Sequence, residues 1–213
     1  MPAPLNPKSV ILFASTVSPI FITFYFILEG AFNGNVKFVF YLVGLFIAIM
    51  LGILLRGGGS LKTNMADPMK ASSDAQEFVR KCMTFDGPFN ASYSFRKGPS
   101  SHAIFHFFTI MYILLSVLNN PYDVGWPFVI TLVIIASTDL AIRNSNGCSS
   151  PSDLIKGAVL GLFIGIIWWQ IIANTTWPGP EYLYFGKENT MKKCKLSKTR
   201  FKCKREDGAE IIV

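Results

Sequence analysis

The chain is poor in charge, because Asp, Glu, Lys and Arg make up only 15% of its 213 residues, whereas soluble domains average about 25%. It holds four cysteines and 17 glycines, too few for a small disulfide-stapled scaffold or a collagen-like chain. A coiled coil or a disordered chain would need far more charge. Apolar residues, in contrast, are abundant: 51% of the chain is hydrophobic, and phenylalanine alone contributes 19 residues. This composition indicates a polytopic membrane protein.

Five segments are long and apolar enough to cross a membrane as helices. A crossing takes roughly 20 mainly apolar residues, because the hydrocarbon core is about 30 Å thick and a helix rises about 1.5 Å per residue. The sequence therefore predicts an all-α membrane protein with a bundle of about five transmembrane helices over residues 1–180, a polar loop at 56–98 and a basic C-terminal tail at 181–213. The predicted spans are 10–28, 36–55, 101–118, 126–142 and 154–173.

The positive charge of the chain is concentrated in the tail. From Lys187 to Arg205 there are nine Lys or Arg and one Glu, a net charge of +8, whereas the whole chain carries +7. Basic segments favour the cytosolic side, so we expect a cytosolic tail and, across five spans, a lumenal or extracellular N-terminus. The 56–98 loop then lies on the lumenal face, where Asn90 starts a glycosylation sequon and Cys82 and Cys148 could form a disulfide.

The basic tail is open to three interpretations. It can lie on anionic membrane lipids, at about 1 kcal/mol per Lys or Arg near the surface. It can instead dock on an acidic partner, either a coat or shell protein or a nucleic acid that releases counterions. The third possibility is that its charge only fixes the orientation of the protein. The sequence does not identify the membrane, which could be that of an organelle, the cell surface or a virion.

Polar residues gather at span ends on the predicted lumenal face. Ser100 and Ser101 begin the third span, where the exposed N–H groups and the dipole of a helix N-terminus favour an anion. Arg143 ends the fourth span and could contact phosphate through two parallel hydrogen bonds. His102, one step into the third span, could donate a proton to a leaving group. Together with the basic pair Arg96-Lys97 just before the third span, these residues predict a phosphate site.

The same residues carry a family resemblance. Residues 99–103, Pro-Ser-Ser-His-Ala, resemble the Pro-Ser-Gly-His-Ala motif of the type 2 phosphatidic acid phosphatase superfamily, which includes lipid phosphatases and haloperoxidase-like proteins. Arg143, followed ten residues later by the aspartate of Ser-Pro-Ser-Asp, resembles the third motif of that family. The resemblance covers about residues 61–165. It implies a phosphatidic acid phosphatase type 2 core, trimmed here to five spans where the family commonly has six.

The resemblance also assigns roles to the motif residues. Phosphate would be held by Lys62 of the first motif, Ser100 of the second and Arg143 of the third. His102 would protonate the leaving oxygen, and Asp153 would orient the nucleophile. No cofactor and no metal are implied.

Two departures from the family pattern bear on activity. The family nucleophile is a histidine six residues after the arginine, and this position is Ser149. A serine without an adjacent base is a poor nucleophile at neutral pH. The first motif is also incomplete, since Lys62 is followed by Asp67-Pro68 where the family has Arg-Pro. The sequence therefore indicates a degenerate member, a pseudoenzyme that keeps a relic phosphate site.

Several of these residues also have purely structural explanations. Asp139 and Arg143 are spaced for an intrahelical ion pair, and His106 could be a satisfied polar residue of the bundle. Asp153 could act as the N-cap of the fifth span. Gly157, together with Gly161 and Gly165, could serve close helix packing.

These observations leave three hypotheses for function. The first is a multi-pass membrane protein that binds a phosphorylated lipid, or serves as a structural membrane component, without phosphatase activity. The second is an active phosphatase on lipid phosphates, since Ser100, His102, Arg143 and Asp153 are all present together. The third is a membrane scaffold whose basic tail docks a coat, a capsid or nucleic acid.

Overall fold

The computed structural model describes residues 7–57, 98–119, 125–175, 182–184, 193–197, 200–204 and 210–212. Within these residues the chain forms five long helices, all of them long and apolar enough to cross a membrane. The fold class predicted from the sequence, an all-α bundle of about five transmembrane helices, is confirmed. The helices are α1 (Pro7–Asn33), α2 (Lys37–Gly57), α3 (Ser101–Leu118), α4 (Trp126–Ser145) and α5 (Pro151–Asn174).

The outer surface of the bundle is apolar. Large hydrophobic side chains that would be costly in water are more than 60% exposed on several helices, among them Phe21, Phe46, Leu54, Ile155 and Phe163. The residues that face inwards are a mixture of apolar and polar side chains. This inversion of the usual pattern is what a lipid environment requires, and the protein is therefore a multi-pass integral membrane protein.

Helix α3 forms the centre of the bundle. In its most apolar window 56% of the residues are buried, against 22% to 28% in the other four helices. Its closest partner is α5, on which Gly157, Gly161 and Gly165 face α3. A Cβ atom added at Gly161 would lie 2.6 Å from the Ile104 carbonyl oxygen. The close packing expected from this glycine spacing is therefore present, and it places the first turns of α3 and α5 against each other.

The far end of the bundle is an aromatic core. Phe26 of α1 packs on Tyr41 of α2, with ring centroids 4.5 Å apart, and Phe108 stacks on Tyr112 within α3. Tyr184, beyond the end of α5, returns to this core, where its hydroxyl donates to the Phe26 carbonyl at 3.1 Å. Burial raises the pKa of Tyr184, and nearby Glu29 raises it further. Residues 182–184 are thus anchored at the α1–α2 end of the bundle.

The tail contributes a small antiparallel sheet, which the sequence analysis did not predict. Its strands are β1 (Lys193–Ser197), β2 (Arg200–Lys204) and β3 (Glu210–Ile212), in the order β1-β2-β3. In the register, Cys194 pairs with Cys203 and Leu196 with Phe201. The division of the chain at residue 180 stays a prediction, and the predicted 56–98 loop falls almost wholly outside the described residues.

Candidate functional site

The first turns of α3 and α5 form one edge of the candidate site. Ser100 is the N-cap of α3 and is only 5% exposed, and its side chain makes no capping hydrogen bond. Its backbone N–H donates to the Asp153 carbonyl at 2.9 Å. This approach is possible because residue 157 is a glycine, whose missing Cβ would lie 2.6 Å from the Ser100 carbonyl. The N–H of Ser100 is therefore already engaged, and only its hydroxyl is left for a ligand.

One turn deeper, two histidines of α3 converge on one carboxylate of α4. The Nδ1 atom of His102 and the Nε2 atom of His106 each lie 2.8 Å from Oδ2 of Asp139. The spacing of four residues puts both imidazoles on the same face of α3. The side chains of His106 and Asp139 are each only 1% exposed, whereas His102 is 20% exposed. His102 is thus the histidine that an external molecule can reach.

The second carboxylate oxygen of Asp139 has its own neighbours. The Ser15 hydroxyl of α1 donates to Oδ1, which ties a third helix to the cluster. The Nε atom of Arg143, one turn along α4, lies 3.4 Å from the same oxygen. Arg143 Nε is buried and makes no hydrogen bond to any residue that the structure describes, so its contact with Asp139 is electrostatic. The predicted i, i+4 ion pair between Asp139 and Arg143 is present.

Asp139 has enough acceptor positions for all of these neighbours. An ionised Asp139 can accept protons from both imidazoles and from Ser15, because a carboxylate offers about four lone-pair positions. The ring nitrogens that face it, Nδ1 of His102 and Nε2 of His106, would then act as the donors. The negative charge of Asp139 is balanced by the adjacent Arg143. We call these five residues, Ser15, His102, His106, Asp139 and Arg143, the Asp139 cluster.

Sequence reasoning identified only part of this cluster. It selected His102 and Arg143 for phosphate chemistry but treated Asp139 mainly as an ion-pair partner of Arg143, and it did not consider Ser15. A usable signal was present, since an aspartate inside a span is costly in lipid and usually has partners. Both histidines of the chain are paired with it.

Asp153, the predicted orienting residue, has different contacts. Ser150 is the N-cap of α5, and its hydroxyl both accepts from the Asp153 N–H and donates to Asp153 Oδ2 at 2.7 Å. The Lys156 ammonium lies 3.7 Å from the other carboxylate oxygen. The expectation that Asp153 is the N-cap is wrong, since this position belongs to Ser150. The side chain of Asp153 is thus engaged by the hydroxyl of the N-cap and by Lys156.

Ser149, at the position of the family nucleophile, lies in the turn between α4 and α5. The turn is closed by the Cys148 N–H, which donates to the Arg143 carbonyl at 2.9 Å, and by Gly147, which has a left-handed φ of 72°. Ser149 is half-buried. Cys148 is disulfide-bonded. Its predicted partner Cys82 falls outside the described residues, as do Lys62 and Asn90.

The fold and the site together define a helical integral membrane protein with a polar cluster at one end of its bundle. The family model of the PAP2 superfamily matches residues 61–177, more than half of the chain. The chain therefore belongs to the PAP2 superfamily, and the family expected from its motifs is confirmed. Neither a curated protein nor a solved structure matches the chain.

Proposed function

We propose that this protein is a degenerate member of the PAP2 superfamily that binds a phosphorylated lipid without hydrolysing it by the phosphohistidine route of the family. The lipid headgroup would enter between the first turns of α3 and α5 and the end of α4. The acyl chains would remain in the membrane beside the bundle. This proposal takes up the pseudoenzyme hypothesis derived from the sequence.

The proposal rests on the two positions where the family has its nucleophile and the orienting carboxylate, Ser149 and Asp153. A phosphohistidine mechanism needs an imidazole whose far nitrogen is held by a carboxylate. Here residue 149 is serine, and the carboxylate of Asp153 is engaged by the Ser150 hydroxyl at 2.7 Å. Among the described residues no histidine faces Asp153, since both imidazoles contact Asp139.

The groups that could hold a phosphate are at the exposed edge of the Asp139 cluster. The side chains of Arg143 and His102 are 12% and 20% exposed, whereas those of His106 and Asp139 are buried. Ser100 adds a hydroxyl that makes no capping hydrogen bond at the start of α3. Phosphate would compete with Asp139 for Arg143, so we expect moderate affinity for the headgroup.

Turnover and binding should be measured on the same preparation. The full-length protein in nanodiscs would be assayed for phosphate release from phosphatidic acid and isoprenyl diphosphates, and for phosphatidic acid retention by native mass spectrometry. We expect retention without release. Arg143→Lys keeps a cation beside Asp139 but removes the planar guanidinium, which can donate two parallel hydrogen bonds to phosphate. It should therefore weaken retention of phosphatidic acid about tenfold, the equivalent of roughly 1.4 kcal/mol.

The matched control is Lys156→Ala, which removes a cation that is 61% exposed on the first turns of α5. It should leave retention unchanged, because this ammonium faces solvent and Asp153. Phosphate release that disappears in His102→Ala would contradict the proposal and restore the active phosphatase hypothesis. Equal retention by the wild type and Arg143→Lys would remove Arg143 from the site.

A second candidate function is supported by the register of the tail. Directly opposed residues of an antiparallel pair lie on the same face of the sheet, and β1 and β2 pair Lys193 with Lys204, Lys195 with Lys202 and Ser197 with Arg200. By this alternation, five cations share one face. The opposite face takes the pairs of Cys194 with Cys203 and Leu196 with Phe201.

We infer that the basic face lies on anionic lipid headgroups of the membrane that the bundle spans. Trypsin cleavage of the tail should be slower in nanodiscs containing phosphatidylserine than in phosphatidylcholine discs, and high salt should abolish the difference. Replacing two paired lysines by glutamate, Lys195→Glu with Lys202→Glu, should abolish the difference in cleavage rate as high salt does. Equal cleavage in both disc types would favour a protein or nucleic acid partner, or a tail that only sets orientation.

The proposed orientation puts the tail in the cytosol and the α4–α5 turn in the lumen or outside the cell. The disulfide bond of Cys148 supports it, since disulfides persist in oxidising compartments. A cysteine-reactive, membrane-impermeant label on an added thiol in this turn, Asn146→Cys, should react in intact vesicles of lumen-out orientation only.

A further inference from the structure

We propose that His102, His106 and Asp139 form a binding site for a divalent transition metal ion, with zinc as the best-suited ion. The sequence alone predicted no metal site. The inference concerns the buried side of the Asp139 cluster and does not rest on the proposed lipid function. It can be tested without any lipid ligand.

The geometry of the three donors is the first argument. Nδ1 of His102, Nε2 of His106 and a carboxylate oxygen of Asp139 all lie within 4.8 Å of one another. Ligand atoms around a tetrahedral zinc ion are about 3.3 Å apart, given bonds of about 2.0–2.2 Å to nitrogen and oxygen. Both imidazole nitrogens are 2.8 Å from Oδ2, about half an ångström closer than in a tetrahedral zinc site. Donors that are now up to 4.8 Å apart would have to approach to about 3.3 Å, so the side chains must rotate to enclose the ion.

The chemistry of the donor set is the second argument. Two imidazoles and one carboxylate are a frequent protein set for zinc and related ions, and they leave a fourth position open. Each imidazole would bind through the nitrogen that now faces Asp139. Coordination requires the tautomer whose proton is on the other ring nitrogen, so the proton that now faces Asp139 would move there.

The remaining contacts of Asp139 resemble those of a metal-bound carboxylate. Metal ligands are commonly oriented by hydrogen bonds from a surrounding set of residues. Here the Ser15 hydroxyl donates to Oδ1, the oxygen that faces away from the histidines, and Arg143 lies 3.4 Å from the same oxygen. Oδ2 is thus left to the two histidines. Arg143 and the ion together exceed the charge of Asp139, so the open position would take an anion such as hydroxide.

Burial is the third argument. His106 and Asp139 are each 1% exposed within helices that cross the membrane, where polar groups are costly and tend to mark functional sites. The same network can be satisfied by hydrogen bonds alone, with both imidazoles donating to Asp139. The experiment therefore has to separate metal coordination from hydrogen bonding at each nitrogen.

Two variants make that separation. His106→Gln places an amide N–H where Nε2 now donates, and His102→Asn places one where Nδ1 donates, so both preserve a hydrogen bond to Asp139 while removing the metal ligand. Glu29→Gln is the matched control, because it changes a carboxylate of α1 that faces Asn33, outside the cluster. All proteins would be full-length, purified in detergent, stripped with a chelator and passed through gel filtration.

Zinc content after equilibrium dialysis and the d–d absorption of added cobalt would be recorded for each protein. We expect one zinc per chain and tetrahedral cobalt bands in the wild type and in Glu29→Gln, and at least a tenfold loss of affinity in His106→Gln and His102→Asn. Zinc should raise the melting temperature of the wild type but not of His106→Gln. Absence of stoichiometric zinc in the folded wild type, or undiminished binding by His106→Gln, would overturn the proposal.

Discussion

The contact between α3 and α5 leads to a quantitative prediction about Gly161. A Cβ at this position would lie 2.6 Å from the Ile104 carbonyl oxygen, 3.0 Å from the Phe108 nitrogen and 3.1 Å from the Ile104 Cα. All three atoms belong to the backbone of α3, so no side-chain rotation can relieve the clash. Gly161→Ala must therefore push the two helices apart by several tenths of an ångström.

The expected loss of stability follows from two opposing terms. Overpacking a tightly packed core costs about 1–3 kcal/mol, whereas alanine is favoured over glycine in a helix by up to about 1 kcal/mol. The net loss should be about 1–2 kcal/mol. For a chain of this size it corresponds to a fall of roughly 2–8 °C in melting temperature, which intrinsic tryptophan fluorescence during heating in detergent would detect.

Gly52→Ala is the informative control. Its Cβ would come even closer to a neighbour, 2.3 Å from Ile104 Cδ1, but this atom is the free end of a side chain that can turn away. We expect a smaller loss for Gly52→Ala than for Gly161→Ala, despite the shorter distance. A loss at Gly52 equal to or larger than the loss at Gly161 would refute the argument that backbone contact sets the spacing of α3 and α5.

Three further changes have defined expectations. Asp139→Asn leaves Arg143 as a buried unpaired charge and should cost about 3 kcal/mol or more in unfolding free energy. Asp153→Asn should cost only about 1 kcal/mol, because the ion-pair partner Lys156 is 61% exposed. Ser150→Ala removes the N-cap that accepts from the Asp153 N–H at 3.2 Å and should lower stability by about 1 kcal/mol, against no measurable change for Ser137→Ala on the exposed side of α4. Burial and then Glu29 raise the pKa of Tyr184 in the folded protein. The stabilisation that this neutral side chain provides is complete below the ordinary tyrosine pKa near 10 and should be lost as pH rises above it. Tyr184→Phe should therefore make alkaline unfolding less steep in a pH series of melting curves.

The helices were predictable because each one crosses lipid, and length and apolarity suffice to identify such a segment. Their ends were less predictable. Helix α1 begins at Pro7 and ends at Asn33, beyond the predicted span 10–28, because a helix continues through polar residues once it leaves the hydrocarbon. The sequence does not predict the sheet of the tail, because its strands have at most five residues and the first two alternate basic residues with cysteine, leucine or phenylalanine.

The site was predicted in its residue types but only partly in its connections. His102, Ser100 and Arg143 were selected from motif order, and α3 and α5 do bring Ser100 next to Asp153. Which carboxylate the histidines contact could not be derived from spacing along the chain. It depends on the rotation of α4 relative to α3, and this rotation is set by side-chain packing across the whole interface.

The residues near the site differ in what explains their presence. Gly157 and Asp153 are accounted for by folding, the first by close helix packing and the second by its hydrogen bond with the N-cap Ser150, so neither demands an activity. The Asp139 cluster is different, because a buried ionic group is often no more stable than an apolar set of the same volume, and within a membrane the cost of an unpaired charge is larger still. Stability alone does not require two histidines, an aspartate and an arginine at this position. Whatever this protein does at this end of its bundle, we therefore expect it to depend on Asp139 and its partners more than on the family's third-motif aspartate.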